Sequence, residues 1–193
     1  SRMRSKPLYT NNVTPNMDNI QMKPTEAPGA NNMVLGQAGP VFGVKNMPNI
    51  LATEKQLARV KGQTRPDWNN NPGSIDATST NGLNRQLDSR MAYFNTPEQG
   101  FLALGHLLRS PLYHGKSYND IFNMYAPTDD GNYPDEYAKT VGKWVGQSPT
   151  AKFDSTNRNQ LLGLMKAIAR YEGFTNWNGG YAENVLDQIL PKG

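Results

Sequence analysis

The sequence predicts a mainly α (α+β) fold: a helical domain with a small irregular β lobe over residues 50–193, preceded by an extended arm over residues 1–49. Apolar residues recur at helical spacing behind cap residues through most of the second part. Polar residues and turn signals without periodicity fill positions 66–95. Strands and helices do not alternate, so a nucleotide-binding parallel sheet is not expected.

The first fifty residues differ in composition from the rest of the chain. They hold six of the 14 prolines and five of the eight methionines, and neither helical nor strand periodicity persists there. Such a segment needs a surface to lie on before it gains order. That surface is either its own domain or, as we expect, another subunit, with methionines as the anchors.

The first elements expected after the arm are one helix and the β lobe. A weakly amphipathic helix is predicted over residues 50–61, ending at Gly62. In the polar segment that follows, Asn81-Gly82 indicates a hairpin, and residues 91–94 are a candidate strand.

Five further helices are predicted from caps and apolar periodicity. Thr96-Pro97-Glu98 has the order of cap, proline and acid that begins a helix, and the apolar face continues to Leu108. Trp144 shares a helical face with Val141 and Val145, which predicts a core position. The remaining helices are expected to begin at Ser117, at Pro134, at Asp154 or Ser155, and near Tyr181, with the last one ending near Leu190.

The composition excludes several classes of function. The chain has no Cys, which rules out disulfides, zinc–thiolate sites and thiol nucleophiles. With two His, a multi-His metal cage is not expected, and the sequence predicts no metal and no cofactor. No GxGxxG or GxxxxGK[ST] motif occurs, and no apolar run is long enough for a membrane-spanning segment.

Four segments, in order, carry a resemblance to a known family. They are residues 69–75 (NNNPGSI), 93–101 (YFNTPEQGF), 121–127 (IFNMYAP) and 164–173 (LMKAIARYEG). The series resembles a family of phage virion and peptidoglycan-associated proteins with the pattern NNNPGNI, F-x-[ST]-P-E-x-G, a WAP-like element and AIARHENG. The match spans about residues 68–174. It implies a structural or ejection-related virion component that acts at the host cell envelope or periplasm.

A looser resemblance is to flagellar-type glucosaminidases, which have a lysozyme-like fold. The segment from Tyr125 to Asp130, with Tyr137 beyond it, is similar to their Tyr-Ala-Thr-Asp-Pro element. Glu54 lies 16 residues before Asn70, a spacing compatible with the catalytic Glu of that family, although Lys55 follows it in place of Ser. The resemblance implies a lysozyme-like helical domain that binds or degrades peptidoglycan.

Cleavage of a glycosidic bond needs a carboxylic acid that stays protonated near neutral pH and a second group about 5–9.5 Å away. A helix dipole alone would also favour an acid such as Glu98 in a first turn. The candidate catalytic residues are Glu54, Glu98, Asp129 and Glu172, with Asp76 and Asp130 as further second carboxylates. The candidate substrate-binding residues are Trp68, Asn70, Asn71, Tyr125 and Tyr137.

The sequence leaves three functions open. The first is a virion-associated peptidoglycan hydrolase, either a glycoside hydrolase or a lytic transglycosylase, that assists cell-wall penetration. The second is a wall-binding or purely structural assembly protein without activity. Nucleic-acid binding ranks last, because basic and acidic residues are mixed along the chain. The expected partners are peptidoglycan and, through residues 1–49, other virion proteins.

Overall fold

The structure is a computed structural model that describes residues 56–78, 81–86 and 89–192. The predicted arm and Glu54 lie outside these residues. The described part contains six α-helices, and a 3₁₀ helix, Thr128–Asp130, lies between α3 and α4. The helices are α1 Arg65–Asn69, α2 Pro97–Leu108, α3 Tyr118–Tyr125, α4 Pro134–Val145, α5 Arg158–Glu172 and α6 Tyr181–Ile189. The prediction of a mainly helical protein is confirmed, and none of these helices has the length and apolarity to cross a membrane.

Helices α2 to α4 begin where the sequence predicts. The Thr96 side chain accepts a hydrogen bond from the Gln99 amide (3.2 Å), and that of Ser117 accepts one from the Asp120 amide (3.1 Å). Pro134 is the first residue of α4. These starts were predictable because each cap is formed by residues within three positions of one another.

The start of α5 differs from the prediction. Asn157, and not Asp154 or Ser155, caps this helix, and its side chain accepts a hydrogen bond from the Gln160 amide (3.0 Å). The Asp154 carboxylate instead accepts hydrogen bonds from the amide (2.9 Å) and hydroxyl (2.6 Å) of Thr156. It therefore closes the preceding turn, and the helix begins later.

The helix predicted up to Gly62 is wrong for residues 56–61, which form no helix. Leu57 and Val60 are 79% and 63% exposed, so neither side chain packs against the described part of the chain. The first described helix is α1, which Thr64 caps by accepting a hydrogen bond from the Asp67 amide (3.2 Å). Helix α1 was not predicted, because a helix of five residues is too short to show apolar periodicity.

The β lobe contains isolated antiparallel bridges instead of a regular sheet. Asp76 pairs with Met91, and Arg85 pairs with Ala92, so the candidate strand at 91–94 forms bridges only. Hydrogen bonds from side-chain amides connect the segments of this lobe in place of a regular ladder of backbone hydrogen bonds. The Asn71 amide donates to the carbonyls of Ile75 (3.0 Å) and Ala92 (2.9 Å), and its oxygen accepts from the Ile75 amide (2.9 Å).

Aromatic rings form the centre of the helical core. The Tyr137 ring of α4 lies between the rings of Phe122 (4.1 Å between centroids) and Tyr171 (3.8 Å), and both pairs are stacked. On the other side, Phe101 of α2 stacks on Tyr181 (6.3 Å) and meets Phe174 edge-on (5.6 Å). These contacts fix the C-terminal end of α5, with Phe174 just beyond it, between α4 and α2.

Candidate functional site

The structure joins the first two motif segments. Gly100 packs so closely on the Asn70 carbonyl that a Cβ atom would lie 2.0 Å from its oxygen. The Asn70 amide donates to the Phe94 carbonyl (3.0 Å), and the Phe94 amide donates to the Asn69 carbonyl (2.8 Å). The glycine of the second motif is therefore the residue that lets the first motif lie against α2.

The other two motif segments meet the same loop. The Tyr125 hydroxyl donates a hydrogen bond to the Gly73 carbonyl (2.5 Å). A Cβ atom on Gly73 would lie 2.7 Å from that hydroxyl oxygen, so only glycine leaves room for it. The α5 segment brings Glu172 to the same place, where its carboxyl interacts with the side chain of Ser74. The other three segments thus all meet the first one, residues 69–75.

Glu172 is the buried acid at this convergence. It ends α5, is 2% exposed, and its Oε2 accepts a hydrogen bond from the Tyr137 hydroxyl (2.7 Å). Burial raises the pKa of Glu172 to about 8, against the hydrogen bonds from Tyr137 and Ser74, which favour the charged form. Oε1 is buried and makes no hydrogen bond of good geometry with the described residues. At neutral pH this group is a protonated carboxylic acid.

Tyr137 holds the acid in place. Burial first, and then the charge of Glu172, raise the pKa of Tyr137 well above its usual value. The phenol therefore keeps its proton throughout the physiological range and stays a donor. Because its ring is stacked on both faces, the direction of this hydrogen bond is fixed.

A second carboxylate, that of Asp76 in the β lobe, acts on this acid through its charge. The charge of Asp76 contributes to the raised pKa of Glu172. Asp76 forms an ion pair with Arg90 (2.9 Å), and Arg90 also pairs with Asp130 (2.8 Å). Burial raises the pKa of Asp76, and the Arg90 charge opposes that effect. The two neighbouring carboxyl groups thus have different environments: one is buried and neutral, and the other is partly exposed and paired with a cation.

The other candidate acids are not part of this cluster. Glu98 lies partly exposed in the first turn of α2, and Asp129 is exposed in the 3₁₀ helix. The side chains that act on the pKa of Glu172 are Tyr137, Ser74 and Asp76, and neither Glu98 nor Asp129 is among them. Glu54 lies outside the described residues.

The predicted substrate-binding residues are mostly buried. Trp68 is 6% exposed and its indole donates to the Leu57 carbonyl (2.7 Å), while Asn71 and Tyr137 are each 1% exposed. Asn70 and Tyr125 are partly exposed. In this structure the first three side chains hold the loop and the acid in position, and Asn70 and Tyr125 are the ones at the surface.

Sequence reasoning missed Ser74 and Arg90. Ser74 has a left-handed backbone (φ 50°), which turns the chain after Gly73 towards Glu172. Its place after the Pro-Gly pair was the only signal for it in the sequence. Within the described ranges, no group of three or more His, Asp or Glu side chains is arranged to hold a metal ion.

No protein-family model matches this chain, and none of the curated proteins compared with it is similar enough to count as a relative. The resemblance to the phage family therefore stays a prediction.

Proposed function

We propose that this chain is a phage virion component whose helical domain cleaves glycosidic bonds in peptidoglycan, with Glu172 as the general acid. The observation that carries the proposal is the burial of Glu172 against Tyr137, which raises the pKa of its carboxyl to about 8. An acid with that pKa is still protonated at neutral pH and can give up its proton to a leaving oxygen.

In this mechanism Glu172 transfers its proton to the glycosidic oxygen as the bond from that oxygen to the anomeric carbon breaks. The positive charge that develops on the sugar ring is stabilised by the Asp76 carboxylate. Water then adds to the anomeric carbon, and its proton passes to the Glu172 carboxylate, which becomes the acid again. Arg90 keeps Asp76 charged, so the two carboxyl groups keep separate roles.

The partly exposed members of the cluster indicate the side from which a glycan approaches. Tyr125 and Asp76 are partly exposed, whereas Glu172 and Tyr137 lie beneath them. The Tyr125 ring lies 6.3 Å from that of Tyr137 and offers a surface on which a sugar can stack.

Digestion of purified sacculi by the full chain, with mass spectrometry of the soluble products, tests the proposal. We expect the wild type to release muropeptides whose new ends identify the bond. Glu172→Gln, which keeps the shape and the acceptor for Tyr137, should release about 10² to 10⁴ times less. The matched control is Glu98→Gln, which should release as much as the wild type. Equal release by wild type and Glu172→Gln would refute the role of Glu172.

One observation favours a second candidate function, a wall-binding or assembly module without catalysis. Glu172 is 2% exposed, so a glycan reaches its carboxyl only if the covering residues move. Under this alternative the wild type sediments with sacculi, or assembles into particles, and releases no soluble product.

A further inference from the structure

A groove lies on the face of α5 opposite the core, away from Glu172. It has a volume of about 440 Å³, which lies within the range of small-ligand sites. Its walls come from the end of α4, from one face of α5 and from the loop between α5 and α6. The residues that line it include Trp144, Gly163, Lys166, Arg170 and Trp177.

Arg170 is held between two indole rings in this groove. Its guanidinium carbon lies 4.0 Å from the centroid of the Trp144 ring and 5.0 Å from that of Trp177. Within the described part of the chain, no carboxylate forms an ion pair with Arg170. Its planar set of N–H donors is thus oriented by aromatic contacts and is not taken up by a carboxylate of the described residues.

The charge of the groove has one sign. Lys166 and Arg170 are its charged lining residues, and no acidic residue lines it as the structure describes it. Lys166 is already paired with Glu183 (2.8 Å), so Arg170 supplies the uncompensated charge. Gln147 and Asn159 add amide groups that can hydrogen-bond to hydroxyl or acetamido groups.

Two residues of the groove, Trp144 and Gly163, are not explained by packing of the hydrophobic core. The prediction that Trp144 is a core residue is wrong: it is 38% exposed, and its ring lies 6.4 Å from that of Tyr171 in an edge contact. Gly163 lies in the middle of α5, where glycine weakens a helix. A Cβ atom there would meet Val145 at an ordinary 3.6 Å, so packing in the described residues leaves room for at least an alanine. The glycine leaves the floor of the groove open.

We propose that this groove is a second carbohydrate site that binds an acidic N-acetylated sugar, with the sugar ring on the indole of Trp144 or Trp177 and its carboxylate on Arg170. In peptidoglycan that sugar is N-acetylmuramic acid, whose lactyl group carries a carboxylate when no peptide is attached. The choice of this sugar rests on the proposed function, but the groove is separate from Glu172. It would hold the chain on a stretch of glycan from which the peptides have been removed, while another part of the strand reaches the acid.

Indole N–H signals in two-dimensional NMR of the full chain test the site. The probe is the soluble disaccharide of N-acetylglucosamine and N-acetylmuramic acid, titrated into Glu172→Gln so that it is not cleaved. We expect the indole signals of Trp144 and Trp177 to shift. The Trp68 signal serves as an internal reference, because that indole is buried and bonded to the Leu57 carbonyl.

Four further titrations, three with variants and one with a modified ligand, test the components of the site. Arg170→Ala should weaken binding about tenfold or more, and the methyl ester of the lactyl group should bind about as weakly to the unaltered groove. Gly163→Leu should fill the groove and weaken binding while the protein stays folded. Lys139→Ala, which removes an exposed cation on α4 outside the groove, should bind like the parent chain.

The outcomes also separate this inference from the glycosidase proposal. Absence of indole shifts, or equal binding of the acid and its ester, would overturn the groove as an acidic-sugar site, even if sacculi are digested. Shifts that Arg170→Ala and Gly163→Leu abolish would support it, even if sacculi are not digested.

Discussion

Replacing Glu172 with Gln tests the state of the buried acid through the pH dependence of stability. In the unfolded chain this carboxyl titrates near 4.5, whereas in the folded protein burial raises its pKa to about 8. Below pH 4.5 both states hold the proton, and the group does not affect the free energy of unfolding. Between pH 4.5 and 8 only the folded state keeps it, so stability falls as the pH rises.

The size of the effect follows from this difference. Each pKa unit corresponds to about 1.4 kcal/mol, so the rise from 4.5 to about 8 gives an upper limit of about 5 kcal/mol. Between pH 5 and pH 9 the wild type should lose about 3–4 kcal/mol through Glu172 alone. Gln carries no charge at either pH and still accepts the hydrogen bond from Tyr137, so the variant should not show this loss.

Thermal unfolding followed by circular dichroism at pH 5 and pH 9, at one ionic strength, measures the difference. The two proteins should have similar Tm values at pH 5. At pH 9 Glu172→Gln should unfold roughly 6–16 °C higher than the wild type. Glu98→Gln is the control and should follow the wild type at both pH values. If Glu172→Gln also follows it within 2 °C at both, the carboxyl is not buried in its neutral form, and the argument for a general acid fails.

Three further predictions concern the same region. Gly100→Ala should lower the free energy of unfolding by about 2–3 kcal/mol, because its Cβ would lie 2.0 Å from the Asn70 oxygen. Gly163→Ala should instead raise the free energy of unfolding by about 0.5–1 kcal/mol. Urea denaturation of both variants checks this contrast. Asn71→Asp should cost about 3–5 kcal/mol in the same assay, since it removes both amide donors to buried carbonyls, while the exposed Asn178→Ala should change little. If muropeptides are released, the rate should fall as the pH rises through about 8; Tyr137→Phe should move that fall to higher pH, because it removes a hydrogen bond that lowers the pKa of Glu172.

The sequence predicted those parts of the fold that depend on neighbouring residues. The caps at Thr96 and Ser117 and the proline at the start of α4 need only a few consecutive positions. The cap of α5 was misplaced because four polar residues in a row, 154–157, could each have served. The hydrogen bonds from Thr156 to Asp154 decided between them. Trp144 was misplaced because periodicity gives the face of a helix but not how far the neighbouring helix extends over it.

The site was predictable only as a set of alternatives. Glu172 was one of four candidate acids, and nothing near it in the sequence separates it from Glu98 or Asp129. What does separate it is contact with Tyr137, 35 residues earlier, and with Ser74, almost a hundred residues earlier. Burial of an acid by distant segments is a property of the assembled fold, so its raised pKa has no local sequence signal.

The amide-linked lobe that carries Ser74 and Asp76 has a consequence for how the protein opens. A regular sheet can fray from its edge strand, one pair of hydrogen bonds at a time. Here Asn71 ties together two segments that lie about twenty residues apart, and Asn81 ties the Asp76 carbonyl to the Leu83 amide. Releasing either side chain leaves several buried groups unpaired at once, so hydrogen exchange in this lobe should report a single cooperative opening. Between such openings these side chains hold in place the loop that carries Ser74, the residue that meets Glu172.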